Sequence, residues 1–169
     1  MRNITFRDTK IGSVGLEEVD GKIARVYLPA DKAMYPKWAA QREAAISSSK
    51  AEASHAGSAV IEQAFQELEE YFEGKRKVFS VKLAPQGSAF QMRVWSELQK
   101  VGFGELISYG ELARRAGSPK GARAVGGAMN RNPIAVFIPC HRVVGADGSM
   151  TGFGGGVPLK EKLLQIERA

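Results

Sequence analysis

The stretch Ser108-Tyr-Gly-Glu-Leu-Ala-Arg-Arg-Ala-Gly-Ser-Pro-Lys-Gly-Ala-Arg-Ala-Val-Gly-Gly-Ala-Met-Asn130 decides the fold. Ser108 with Glu111 three residues on has the form of a capping box, and it opens a short helix that Gly117 ends. Ser118 stands as the cap of a second helix, with Pro119 at its first position, where the missing N–H costs nothing. Two short helices joined through Gly117 and Ser118 predict a helix-turn-helix. On the second helix, Ala122, Val125 and Met129 share a stripe expected to face the core, while Arg123, Gly127 and Asn130 share another, with Gly126 beside it. A glycine inside a helix costs about 1 kcal/mol relative to alanine. Two compensations are open: close packing against another helix of the protein, or close approach to a nucleic-acid groove.

Working outward, Ser88 with Gln91 forms another capping box, followed by Phe90, Val94 and Leu98 on one face and Gly102 as terminator. Upstream of it, Val78 to Leu83 and the Pro85-Gln86-Gly87 break mark a domain boundary, giving domains 1–84 and 85–169. In the first, Val14 to Val19 and Ile23 to Leu28 flank Asp20-Gly21, a hairpin signal, and Ile4 to Arg7 is a weaker strand candidate. Ala39 to Ser58, rich in Ala and Ser, reads as a weakly anchored helix or a connector. Ile61, Ala64, Phe65, Leu68 and Phe72 recur at helical spacing up to Gly74. The class is therefore mixed α/β (α+β): a small antiparallel sheet with one covering helix, then a mostly helical half.

The chain of 169 residues is 44% hydrophobic and 25% charged, which fits a folded soluble protein and argues against wholesale disorder. Its longest uncharged apolar stretch, Ile134 to Pro139, is far too short to span a bilayer, and charges near the N-terminus interrupt any secretory h-region, so an intracellular protein without membrane contact is expected. One cysteine and two histidines exclude a disulfide framework and a Cys/His zinc site, and no cofactor or metal is expected. Residues 1–84 carry a net charge of +1 and residues 85–169 a net of +5; from Leu112 to Ala146 there is no acid at all. A one-signed stretch of this kind suits a polyanionic partner, and equally a solvated basic face.

Ile134 to Pro139 predicts a buried segment, and Cys140, His141 and Arg142 follow it directly. A lone cysteine is most often a small buried hydrophobe. Its position here, beside an imidazole and a guanidinium that would favour the thiolate, makes a nucleophile the competing reading. Successive residues of a strand point apart, but Pro139 breaks that regularity, so a turn or a 3₁₀ segment would bring Cys140 and His141 together.

Pro139-Cys-His-Arg-Val-Val144 resembles the active-site signature of the O6-alkylguanine-DNA alkyltransferases, the methylated-DNA–protein-cysteine methyltransferase family. The resemblance extends from Phe90 to Glu167 through FGELISYGELA, ARAVGGAMNRNP, IPCHRVVG, GFGGG and KEKLLQIE, in the family's order. It implies a ribonuclease-like N-terminal domain, a winged-helix-like C-terminal domain, and a monomer whose partner is double-stranded DNA containing O6-alkylguanine. It implies Cys140 as irreversible alkyl acceptor, His141 as base through a bound water, Glu167 orienting His141, Tyr109 supporting the leaving guanine and Asn132 holding the hinge beside the cysteine. Arg123 would fill the space of the extruded base, while Gly126, Gly127 and Ala128 would let the helix enter the minor groove. Arg131, Ser118, Lys120 and Arg142 complete the expected DNA face, and Met129, Val143, Phe153, Gly154, Gly155 and Lys160 the expected base pocket. Phe153 and Gly154 stand where many relatives carry tyrosine and serine, which removes two hydroxyls from that wall. O4-alkylthymine would be a second substrate. Location follows the genome: cytoplasmic, with the nucleoid, in a prokaryote and nuclear in a eukaryote. The main alternative is a non-catalytic alkyltransferase-like binder of alkylated DNA, which Cys140 argues against because such proteins carry another residue there. A major-groove regulator is disfavoured by Gly126, Gly127 and Ala128 in place of base-reading side chains. A cysteine hydrolase would need an oxyanion hole, of which the sequence gives no sign.

Overall fold

Asp20 and Gly21 both take positive φ, 51° and 80°, in a computed structural model that describes residues 2–29, 36–51, 58–150 and 157–168. A turn of this hand matches strand twist and folds β2 (Gly12–Val19) onto β3 (Lys22–Tyr27). β1 (Arg2–Thr9) pairs with the other edge of β2, giving an antiparallel sheet in the order β1-β2-β3. The first strand is longer than the Ile4 to Arg7 expectation because its flanking polar residues still pair with β2. Gly15 is needed in the middle strand, since a Cβ there would collide with the Phe6 ring lying across it.

Strand alternation gives this sheet two covered faces. Val14, Leu16 and Val26 join the main core under α2 (Ala59–Phe72), whose Ile61, Ala64, Phe65, Leu68 and Tyr71 are buried. Ile4, Phe6 and Tyr27 face the opposite way and form a small separate cluster with Ala45 of α1 (Pro36–Ala51). Two helices thus cover the sheet where one was expected. α1 has almost no amphipathic signature, and among its described side chains Ala39 and Ala45 are the buried ones. Residues 52–57 of the Ala/Ser-rich stretch lie outside the described residues.

The C-terminal half packs α3 (Ala89–Leu98), α4 (Tyr109–Arg115) and α5 (Ala122–Asn130) against one another, with Trp95 Nε1 donating to the Ala128 carbonyl at 3.0 Å. β4 (Ile107–Ser108) pairs in parallel with β5 (Val143–Val144), and α6 (Val157–Arg168) packs on the Cys140–Arg142 3₁₀ turn. One hydrophobic core runs through both halves. Across them, the Val26 N–H donates to the Pro133 carbonyl at 2.8 Å and the Phe79 and Phe137 rings lie 4.6 Å apart, while Ile23 exchanges backbone bonds with Lys82 and Ala84 and so ties the connector to the sheet. Among the described residues no helix is long and apolar enough to cross a membrane.

Local expectations met several corrections. The Ser88–Gln91 capping box is complete, but the Ser108 box is half made: Ser108 accepts from the Glu111 N–H, while the Glu111 carboxylate turns to Arg114 and Arg115. α3 ends at Leu98, before Gly102, whose N–H is taken by the Glu105 side chain. Ser118 does not cap α5. Ser118 to Gly121 form a turn closed by the Gly121 N–H on the Ser118 carbonyl at 2.8 Å, with Pro119 in its favoured second position, and α5 begins one turn later without a side-chain cap. Consequently Ala122 is exposed, and Ala128 joins Val125 and Met129 in the buried stripe. Ile134 to Pro139 is buried as expected but is no strand: the Ile138 N–H returns to the Ile134 carbonyl at 2.9 Å, and Val136 is forced to a φ of 75°.

Candidate active site

Asn132 builds the platform for the cysteine. Its amide Nδ2 donates to the Ile138 carbonyl at 2.8 Å and its Oδ1 accepts from the Ile134 N–H at 3.0 Å, which staples the apolar loop shut. The same side chain favours ionisation of the Cys140 thiol, against the effect of burial. Pro139 leads into the 3₁₀ turn of Cys140, His141 and Arg142, so the three side chains leave the backbone in different directions from one tight segment. Cys140 is 7% exposed and His141 is fully buried.

Four groups converge on Glu167. Its Oε2 accepts from His141 Nε2 at 2.5 Å, from the Tyr71 hydroxyl at 2.5 Å and from Arg142 Nη2 at 3.0 Å. Its Oε1 accepts from Arg142 Nε at 2.9 Å and from the Gly104 N–H at 3.1 Å. Burial alone would raise this carboxyl, but the His141, Arg142 and Tyr71 hydrogen bonds overcome it and hold Glu167 well below the usual carboxylate range. Burial pushes His141 down, outweighing the pull of Glu167. Arg142 supplies the countercharge, so the network holds an ionised carboxylate and a neutral imidazole. An ionised carboxylate can only accept, which fixes the Nε2–H tautomer and leaves Nδ1 as the basic nitrogen. That Nδ1 is buried and has no hydrogen-bond partner among the described residues. Tyr71 is correspondingly locked as a neutral phenol, its ionisation pushed far up by burial and by Glu167.

The thiol differs from its sequence reading. Burial pushes Cys140 up to about 11, against the opposing pull of the Asn132 side chain and the Lys160 ammonium. Arg142 gives it no help, because Glu167 neutralises that guanidinium. Lys160 lies fully buried on α6 and donates to the Val143 carbonyl at 2.6 Å, with its own ionisation lowered by burial. Lys160, Leu163, Leu164 and Glu167 form one buried stripe of α6 with a charged residue at each end.

The remaining expected residues divide by exposure. Arg123, Lys120 and Arg131 are exposed, Ser118, Gly126 and Gly127 are partly exposed, and Tyr109 is half-buried at the first turn of α4. A Cβ on Gly126 would meet nothing within 4 Å, and one on Gly127 only the Arg131 guanidinium at 3.5 Å. Packing within the described protein therefore does not explain these glycines. Arg142, expected on the DNA face, is turned inward, 6% exposed and held by Glu167 and the Val101 carbonyl. Ala128 is likewise buried, under Trp95. Met129 and Val143 are buried in the core, while Phe153, Gly154 and Gly155 lie outside the described residues.

Sequence reasoning missed Tyr71 and Glu67. Tyr71 sits three residues after Leu68 on the apolar stripe of α2, so periodicity reads it as core, and only the fold brings its hydroxyl to Glu167. Glu67 is buried on the same helix and accepts from the Ser80 and Val81 N–H groups, anchoring the connector that leads to the C-terminal half.

Residues 89–169 match the family described as 6-O-methylguanine DNA methyltransferase, DNA binding domain, and residues 37–85 match its ribonuclease-like domain. The constitutive methylated-DNA–protein-cysteine methyltransferase of Bacillus subtilis is 36% identical over 169 residues, covering 99% of this chain and 96% of that protein. The Methanosarcina mazei protein of the same name is 55% identical over 101 residues, 60% of this chain and 64% of its own length. Among solved structures, Mycobacterium tuberculosis OGT in complex with DNA superposes with a TM-score of 0.79 at 32% identity, over 98% of this chain and 93% of that one.

Proposed function

Since the chain belongs to the 6-O-methylguanine DNA methyltransferase family, we propose that it repairs DNA by direct damage reversal, as a methylated-DNA–protein-cysteine methyltransferase acting on O6-alkylguanine in duplex DNA. The observation that carries the chemistry is the neutral His141 held by Glu167 through Nε2, with Nδ1 left basic one residue from the only cysteine. Sγ attacks the alkyl carbon in line as the C–O6 bond breaks. The thiol proton passes through a bound water to His141 Nδ1, the bonding electrons go to the departing guanine, and Tyr109 supplies a proton or hydrogen bond to that base. Burial keeps the resting thiol protonated, so deprotonation accompanies attack. Asn132 and Lys160 stabilise the charge that develops on sulfur. The thioether has no leaving route, and each molecule acts once.

Base extrusion falls to α5. Arg123 enters the stack, and the open faces of Gly126 and Gly127 let the helix lie close in the minor groove, with Ser118, Lys120 and Arg131 on the flanking strands. The same reading assigns Met129, Val143 and Lys160 to the pocket that receives the base, together with Phe153, Gly154 and Gly155, which lie outside the described residues. The reading divides the chain into domains 1–84 and 85–169, adds O4-alkylthymine as a second substrate and places the monomer with the genome, in the cytoplasm of a prokaryote or the nucleus of a eukaryote. Intact-protein mass spectrometry after mixing with an O6-methylguanine duplex tests it. One methyl is expected on the Cys140 peptide, and Cys140→Ala is expected to lose transfer while keeping affinity for the duplex. An unchanged wild-type mass, or transfer surviving the substitution, defeats the assignment.

A further inference from the structure

We propose that the groove between α1, β3 and the C-terminal end of α5 is a second DNA-contact surface, which seats the sugar-phosphate backbone of the duplex whose minor groove α5 enters. The proposal rests on the DNA-directed reading of α5. A cavity of about 690 Å³ opens there, and its walls come from both halves of the chain: Arg25, Lys37 and Gln41 on one side, Gly127, Asn130 and Arg131 on the other.

Each wall is a single regular face. Lys37 and Gln41 are one turn apart on α1, and Gly127, Asn130 and Arg131 are three and four apart on α5. Arg25 comes from β3, where alternation puts it on the same side as Tyr27, the side that α1 covers, while Val26 points into the core. The Val26 N–H bond to the Pro133 carbonyl clamps β3 to the segment leaving α5, and this is what holds Arg25 beside Arg131. The two halves are thus fixed as a rigid trough.

Charge decides what fits the trough. Among the described residues, three cations line it together with asparagine and glutamine side chains, and no carboxylate does. Residues 1–84 are nearly charge-balanced, but several of their other arginines are committed to acids, Arg2 to Glu17, Arg7 to Glu62 and Arg76 to Glu70. Among the described residues Arg25, Lys37 and Arg131 are in no ion pair. Cations flanked by amide donors, without apolar anchors, suit phosphate oxygens. The trough borders the glycine face of α5, so a strand bounding the minor groove would run into it.

The test compares the whole protein with Lys37→Gln, Arg25→Gln and the double variant. Affinity for an undamaged labelled duplex is followed from 50 to 200 mM salt, and alkyl transfer from free O6-methylguanine base is followed in parallel. Each lost phosphate contact lowers the magnitude of the log K against log salt slope by about 0.9. The double variant should therefore lose nearly two units of slope and bind about tenfold more weakly near 100 mM salt, with free-base transfer unaltered. Lys37→Glu, at an exposed helical position that asks nothing of folding, should weaken binding further. Unchanged slope and affinity in all the variants, with transfer intact, overturn the groove and leave the alkyl-transfer reading standing. Free-base transfer by the unaltered protein reports on that reading alone, so the two failures are read in different measurements.

Discussion

Cys140 works against its own surroundings. A thiol pushed up to about 11 is a poor resting nucleophile, and the network around Glu167 gives a reason to accept it: the charge in that network is closed, with Arg142 balancing Glu167 and His141 left neutral. A neutral imidazole can take a proton, whereas an imidazolium beside the sulfur would favour a thiolate and give up the base. The expected outcome is that alkylation of Cys140 by a small electrophile such as iodoacetamide, followed in the native protein, is slow at pH 7 and climbs with pH toward 11. A plateau near neutrality would show a pre-formed thiolate and remove His141 from the proton path.

At the scale of the element, α5 gives up stability for its surface. Its glycine pair sits in a helix whose exposed side holds nothing within 4 Å of a Gly126 Cβ, so Gly126→Ala should raise the unfolding free energy by about 0.5–1 kcal/mol through helix propensity. The same methyl should weaken duplex binding severalfold, because it stands where a groove wall must approach. Thermal denaturation and a binding titration on the one variant check both signs. A Gly126→Ala protein that bound DNA as tightly as the wild type would take the minor-groove placement away from this helix. α2 carries a parallel double duty, since its core stripe also delivers the Tyr71 hydroxyl to Glu167.

At the scale of the whole molecule, one core and one buried charge network tie the two halves into a single stability unit. Two of its groups make that stability dependent on acid. His141 is depressed in the folded state, so its contribution is complete above the unfolded value of about 6.5 and declines as pH falls below it. Glu167 is depressed too, so its contribution is complete above about 4.3 and is lost as pH falls further. Urea unfolding should therefore be one transition, coincident by tryptophan fluorescence and far-ultraviolet circular dichroism, with stability falling from pH 7 toward pH 3. Glu167→Gln should cost about 3–5 kcal/mol at pH 7, because it strands Arg142 as a buried cation, and should flatten the acid limb below pH 4.3. Two separate transitions, or a Glu167→Gln protein of wild-type stability, would contradict this coupling.

Local chemistry determined what the sequence alone could show. The positive-φ hairpin at Asp20-Gly21, the Ser88–Gln91 box, the α2 stripe and the Pro139-Cys-His-Arg segment each depend on neighbours a few residues away, and all are legible in order along the chain. α1 was legible only as a weakly anchored helix or a connector, because Ala39 and Ala45, buried among its described side chains, leave little periodicity to read, and Ser118 misled because a proline-containing turn and a capped helix start look alike locally. Only the tertiary structure decided that Arg142 faces inward, that Tyr71 reaches Glu167 across 96 positions of chain, and that Arg25 lies beside the end of α5. Those outcomes turn on which face packs against which, and on burial setting the charge states of groups that look ordinary in a linear string.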